Sequence, residues 1–211
     1  MRSPWDVRSR VDVRSTYEGQ EGSDVSNGAE GTSTNGGAPS EVDEFTVEIA
    51  DQIESFLIAL GAVARGDFPG GTLSLLLLEV SQLLLAGGRL GAVVDVVPSD
   101  QFEPDAGRDP DADGLRERLV AQLGPVDEYV EVFDPYVRDG EIVVSRLSDD
   151  LSDVATDLVH GLAHFKAGRT SEALWWWQYS YLANWGSTAS SALRALHSAV
   201  AHTRLDVDPV S

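Results

Sequence analysis

One fifteen-residue segment, 172–186 (EALWWWQYSYLANWG), constrains the fold of this chain more than any other. It contains four of the five tryptophans within eleven positions. Tryptophan and tyrosine side chains bury large apolar areas, while their N–H and O–H groups require hydrogen-bond partners. A segment of this composition therefore forms either the centre of a helical core or a recognition surface.

A helical wheel of this segment indicates which of its side chains belong to a core and which could form a recognition surface. At about 100° per residue, its aromatic and leucine side chains cover an arc of roughly 200°. Gln178 falls inside this arc, so we predict that it is buried with a hydrogen-bond partner. Trp176 lies beyond the arc and has no obvious position in a core. Because Trp and Tyr dominate binding hot spots, the candidate partner-binding residues are Trp175, Trp176 and Tyr179, although a purely structural role for all three remains open.

Apolar residues recur at helical spacing from residue 42 onward and predict an all-α fold. The expected architecture is a compact bundle of about six helices, which begin near residues 42, 72, 115, 148, 170 and 187. Gly124-Pro125 should bend the third helix, Ser148 should cap the fourth, and Gly186 should end the fifth. A short run at residues 141–144 (EIVV) is the only strand-like segment.

The two ends of the chain differ from this helical region. Residues 1–40 offer few side chains that a core could bury, and they are predicted to form a disordered arm. Residues 41–205 should fold as a single helical domain, while residues 206–211 should fray.

Charge and composition exclude several classes of protein. A formal net charge of −20 argues against direct binding of nucleic acid, which requires basic patches. The absence of cysteine excludes disulfides and thiolate metal sites. The longest apolar run, residues 73–86, contains polar residues and is expected to be too short to span a bilayer. We therefore expect a cytoplasmic protein without membrane contact.

One helix carries a possible metal site. Asp157, His160 and His164 are spaced three and four residues apart, which places them on one helical face. Imidazole and carboxylate groups at this spacing resemble the ligand sets of carboxylate-bridged metal bundles. The alternative is a solvated polar stripe with local pairing along the helix.

An acidic loop carries a possible calcium site. Asp109, Asp111 and Asp113, followed by Gly114, reproduce the first half of a calcium-binding loop. Val120 stands where that loop requires a bidentate glutamate. The alternative is an acidic loop in which Asp113 caps the following helix.

Catalytic and cofactor-binding motifs are absent from the sequence. It contains no nucleophile elbow, phosphate-binding loop, dinucleotide fingerprint or zinc-protease motif. The sequence predicts no cofactor. It favours a non-enzymatic protein-interaction or scaffold module with a possible protein partner. The alternative is a helical bundle that binds a metal or small molecule through His160, His164 and nearby acids.

Two resemblances add to these interpretations. Gly161, Gly168, Ala173 and Trp177 partly match a single tetratricopeptide-like hairpin near the C-terminus, without a second copy. More extensively, the chain resembles the bacterial domain-of-unknown-function family 5063 across roughly residues 45–203. The matching runs are 90–98 (LGAVVDVVP), 102–105 (FEPD), 127–135 (DEYVEVFDP), 147–151 (LSDDL), 160–162 (HGL), 167–169 (AGR) and 172–178 (EALWWWQ). The resemblance implies no established activity, and no catalytic residue is carried over.

Overall fold

The computed structural model describes residues 41–93, 95–98, 111–132, 136, 140 and 142–205. Within these residues the chain forms six α-helices and one two-stranded sheet, which confirms a mainly helical fold. In chain order the elements are α1 (Glu41–Ala64), α2 (Thr72–Ala92), α3 (Ala112–Leu123), β1 (Glu128–Val132), β2 (Ile142–Arg146), α4 (Leu147–Lys166), α5 (Thr170–Ser180) and α6 (Gly186–Leu205). The predicted arm, residues 1–40, and the predicted tail, residues 206–211, lie outside the described residues.

The core lies where α1, α2, α4, α5 and α6 meet. Phe56, Trp177 and Trp185 are its largest aromatic side chains and are fully buried. The indole N–H of Trp177 donates to the Leu158 carbonyl at 3.1 Å, and that of Trp185 donates to the Trp177 carbonyl at 3.3 Å. Two of the four clustered tryptophans are therefore core residues whose N–H groups are satisfied.

The sequence predicted that the tryptophan helix ends at Gly186, but in the structure the helix continues through this residue. A π-helical turn, Tyr181–Trp185, joins α5 to α6 without a break, and Gly186 keeps helical dihedral angles (φ −65°, ψ −44°). A Cβ atom on Gly186 would lie 2.7 Å from the Tyr181 ring. The glycine is required for this close approach rather than for a helix end.

The predicted second half of the third helix is a β-strand instead. Gly124 adopts a positive φ of 54°, and Gly124–Val126 forms a 3-10 turn that ends the helix. Strand β1 then pairs antiparallel with β2, with Val130 opposite Val144 and Val132 opposite Ile142. The strand-like run at residues 141–144 therefore has a partner in a segment that we expected to be helical.

Helix α4 begins at Leu147, and its cap comes from another part of the chain. Asp127 is buried, and its two carboxylate oxygens accept hydrogen bonds from the Ser148 N–H at 2.8 Å and the Ser148 hydroxyl at 3.0 Å. Ser148 itself was the predicted cap. The structure gives this role to Asp127, because the turn before β1 places its carboxylate over the open N–H groups of α4.

Helix α2 is longer than the apolar run in its sequence implied. It has 21 residues, and an 18-residue window within it has a mean hydropathy of 1.5, which is enough by length and composition alone to cross a membrane. The expectation that this segment is too short is therefore wrong. A core helix of a soluble protein has the same properties, so one such helix is weak evidence for a membrane span. The buried residues of α2 include Leu76, Leu83 and Leu90, which belong to the common core.

Candidate functional site

Three aromatic side chains of α5 form a cluster at the molecular surface. The rings of Trp175 and Tyr179 stack with centroids 5.6 Å apart and an interplanar angle of 13°. The Trp176 ring lies 6.2 Å from Trp175 and 6.3 Å from Tyr179. Tyr179 is 55% exposed, and both tryptophans are half-buried. We refer to Trp175, Trp176 and Tyr179 as the aromatic surface.

Contacts with α4 hold the Trp176 side chain in place. Its indole N–H donates to the Asp157 carbonyl at 2.8 Å, and its ring packs on His160 with centroids 4.2 Å apart. The sequence left Trp176 without a structural role, whereas the structure shows that it joins α5 to α4. Its fixed ring provides a rigid base for the more exposed Trp175 and Tyr179.

The predicted metal ligands lie beside the aromatic surface but are engaged in other contacts. The Asp157 carboxylate accepts a hydrogen bond from the Asn184 amide at 2.7 Å. His164 is fully buried, and its Nδ1 accepts from the Arg169 guanidinium at 3.1 Å. Among the described residues, no group of three or more His, Asp or Glu side chains is arranged to hold a metal ion. The placement of Asp157, His160 and His164 therefore gives the metal hypothesis no geometric support.

The predicted calcium residues are only partly within the described chain. Asp109 lies outside it. Asp111 caps α3 by accepting the Gly114 N–H at 3.1 Å, and Asp113 pairs with Arg116 at 2.8 Å. The helix begins at Ala112, so the capping role that the alternative interpretation assigned to Asp113 belongs to Asp111.

Several acidic side chains lie along α4, the helix that contacts Trp176 of the aromatic surface. Burial raises the pKa values of Asp153 and Asp157 above the usual range. The charge of Arg116 offsets part of the pKa increase at Asp153. The hydrogen bond from Asn184 offsets part of the pKa increase at Asp157. Burial also raises the pKa of Asp150 to about 6. The Tyr129 hydroxyl donates to this carboxylate at 2.7 Å, and burial likewise raises the pKa of Tyr129. The Tyr129–Asp150 pair therefore joins the β1 strand to α4 at a protonatable site.

A groove that the sequence did not reveal runs between β1 and α6, with a volume of about 780 Å³. One wall contains all five residues of β1, and the other follows one face of α6 from Ser187 to Thr203. The alternation of Val130 and Val132 with Glu131 was the available sequence signal for β1. That signal was missed because Val126 and Val130 also fit helical spacing.

These features define a small, mainly helical, acidic domain with an aromatic surface and a strand-edge groove. The chain belongs to the DUF5063 family, a domain of unknown function, whose sequence model matches residues 40–202. The fold is similar to the crystal structure of protein BF1032 from Bacteroides fragilis, with a TM-score of 0.63 and 18% identity over 80% of this chain and 98% of that one. At this identity the similarity concerns the fold alone. No curated protein matches the chain.

Proposed function

We propose that the protein is a non-enzymatic interaction module that binds a basic segment of a protein partner through the aromatic surface. The observation that supports this function most strongly is the stacked Trp175–Tyr179 pair, which remains half-exposed above the fixed Trp176 ring. Large, rigid aromatic side chains contribute contact area at low cost in conformational entropy, and they are frequent in binding hot spots.

The charge of the protein indicates what kind of partner would fit. The chain carries a formal charge of −20, and Asp153 and Asp157 lie on α4, the helix that holds Trp176. Arginine and lysine side chains are attracted both to aromatic faces and to nearby carboxylates. A basic partner segment is therefore favoured over an acidic one.

Affinity purification from the native host, followed by partner identification, tests this function. The bait proteins are the wild type, Tyr179→Ala and Trp175→Ala/Tyr179→Ala. The matched control is Leu85→Ala, at a side chain on α2 that is 70% exposed. We expect the partner to be recovered with the wild type and the control, and its affinity to fall at least about tenfold in the double variant.

The purified pair should also respond to salt. Binding of a basic segment should weaken as ionic strength rises from about 0.15 M to about 1 M, where the Debye length shortens from about 8 Å to about 3 Å. Equal recovery with the wild type and both aromatic variants would refute the proposed binding surface. Circular dichroism of each variant separates loss of binding from loss of fold.

A further inference from the structure

The groove between β1 and α6 follows the open edge of a strand. Successive side chains of a strand point to opposite faces, yet Glu128, Tyr129, Val130, Glu131 and Val132 all line the groove. A groove lined by both faces of a strand runs along its edge. None of the residues of β2 lines it, so the groove lies on the side of β1 opposite its pairing partner.

This edge presents backbone groups that a peptide can bind. Among the described residues, β2 is the only strand paired with β1. The other edge of β1 therefore offers N–H and C=O groups without a strand partner, which is the surface that an added strand uses. A two-stranded sheet is only marginally stable by itself, and a third strand would extend it.

The opposite wall is formed by α6, and the Tyr129 side chain of β1 reaches it through a hydrogen bond with Ser191. Small side chains of α6 make up most of this wall: Ser187, Ser190, Ser191, Ala195, Ser198 and Ala199. The volume of about 780 Å³ lies within the range of ligand-binding clefts. Because α6 closes the far side, the groove accommodates a single strand more readily than the sheet of a second folded copy.

The chemistry of the groove favours a peptide with apolar side chains. Val130 and Val132 on the outer face of β1 are 58% and 42% exposed, and their partners Val144 and Ile142 are also exposed. Glu128 and Glu131 line the groove from β1 and Arg194 lines it from α6, so the lining carries more acidic than basic side chains. An acidic peptide is therefore disfavoured on electrostatic grounds.

We propose that this groove binds an extended peptide segment of a protein partner, which adds to the open edge of β1 as a third strand. Apolar side chains at alternate positions of the peptide lie beside Val130 and Val132 on the outer face of the enlarged sheet. The segment spans roughly 17 Å, the length of a five-residue strand. This binding mode is independent of the aromatic surface.

The first test uses a displayed library of random linear peptides, selected against the full-length protein. The selected peptides are synthesised, and their affinities are measured by fluorescence anisotropy. Ser198→Trp places a bulky side chain into the groove, whereas His197→Trp places the same side chain on an exposed position of α6 that does not line it. We expect Ser198→Trp to weaken binding at least about tenfold, and His197→Trp to leave it within about twofold.

A second groove variant, Ser190→Trp, repeats the test at another exposed position in case Ser198→Trp fails to fold. N-methylation of the bound peptide, one residue at a time, tests the backbone contacts. Strand addition predicts that methylation abolishes binding at alternate positions only, because every second N–H of an added strand faces β1. The Glu128–Val132 amides should change chemical shift and exchange more slowly when the peptide binds.

Several outcomes would overturn this inference. Selection of no peptide, equal binding to Ser198→Trp and the wild type, or tolerance of N-methylation at every position would each contradict strand addition. If Ser198→Trp instead converts a dimer to a monomer, the groove binds a second copy and the proposal is wrong. Tyr179→Ala should bind the selected peptides like the wild type, so failure at the aromatic surface and failure at the groove can be distinguished.

Discussion

Asp150 has a chemical environment that differs from that of an ordinary surface carboxylate. Its side chain lies between the Tyr129 hydroxyl and the acidic neighbours Asp149, Asp153 and Glu131. Burial raises its pKa from the usual 3.8 to about 6. The Tyr129 hydrogen bond lowers this pKa, and repulsion from the neighbouring acids raises it.

This pKa predicts how stability depends on pH. Between about pH 4 and about pH 6 the folded protein retains a proton on Asp150 that the unfolded chain releases. The folded state binds more protons, so the free energy of unfolding falls as pH rises through this window and levels off above it. A rise in pKa from 3.8 to about 6 corresponds to roughly 3 kcal/mol. Because the carboxylate is partly exposed, solvent screening should reduce the decrease to on the order of 2 kcal/mol.

Urea denaturation at several pH values measures this effect. Asp150→Asn removes the titrating group, so its stability should lose this component of the pH dependence. The matched control is Asp51→Asn, at an exposed carboxylate on α1, which should keep the slope of the wild type. Parallel stability curves for the wild type and Asp150→Asn would show that Asp150 titrates alike in both states.

At the scale of secondary-structure elements, α2 crosses the π-helical turn at a glycine. A Cβ atom on Gly87 would lie 2.6 Å from the Trp185 ring, and closer still to the Tyr181 ring. Both rings belong to the turn between α5 and α6, and Trp185 is fully buried. At the next residue, Gly88, an added Cβ atom would have no neighbouring heavy atom within 4 Å. Two adjacent glycines of one helix thus have opposite packing environments.

Alanine substitutions should separate these two environments. Gly87→Ala is expected to destabilise the protein by about 1–3 kcal/mol, because the aromatic rings must move out of a close-packed contact. Gly88→Ala is expected to stabilise it by about 0.5–1 kcal/mol through helix propensity alone. Chemical denaturation of both variants tests the pair. Equal effects would mean that the helix crossing does not depend on close approach at Gly87.

The same elements show what local sequence can predict. Helix α4 and the placement of Gln178 follow from periodicity: Gln178 accepts the Val96 N–H at 2.7 Å and donates to the Leu90 carbonyl at 2.9 Å, where α2 ends. The strand β1 could not be predicted this way, because its conformation depends on pairing with β2 rather than on its own spacing. Gly186 was misjudged because glycine permits both a helix end and close packing.

The candidate functional sites were likewise predictable from the sequence only where they depend on local composition. The sequence identified Trp175 and Tyr179 because aromatic composition is a local property. The contact of Trp176 with His160 joins two helices, and the β1–α6 groove joins segments about sixty residues apart. Such features depend on tertiary packing, which no single segment specifies.

At the scale of the whole molecule, the question is how much of the chain the domain requires. The family match covers residues 40–202, and the buried hydrophobic residues of the described chain extend from Ile49 to Leu196. Helix α1 contributes Ile49, Ile53 and Phe56 to this core. A domain needs its own hydrophobic core in order to fold alone, and residues 41–205 contain the core of the described chain.

We therefore expect a chain truncated to residues 41–205 to fold as the full chain does. Its denaturant midpoint and the slope of its unfolding transition should match those of the 211-residue protein, because the truncation removes none of the core residues identified. A chain truncated to residues 55–205 is the control. It lacks Ile49 and Ile53 and should lose about 2–5 kcal/mol for each deleted side chain, enough to abolish cooperative unfolding. A lower midpoint for residues 41–205 would show that residues 1–40 or 206–211 contribute to the stability of the domain, contrary to this expectation.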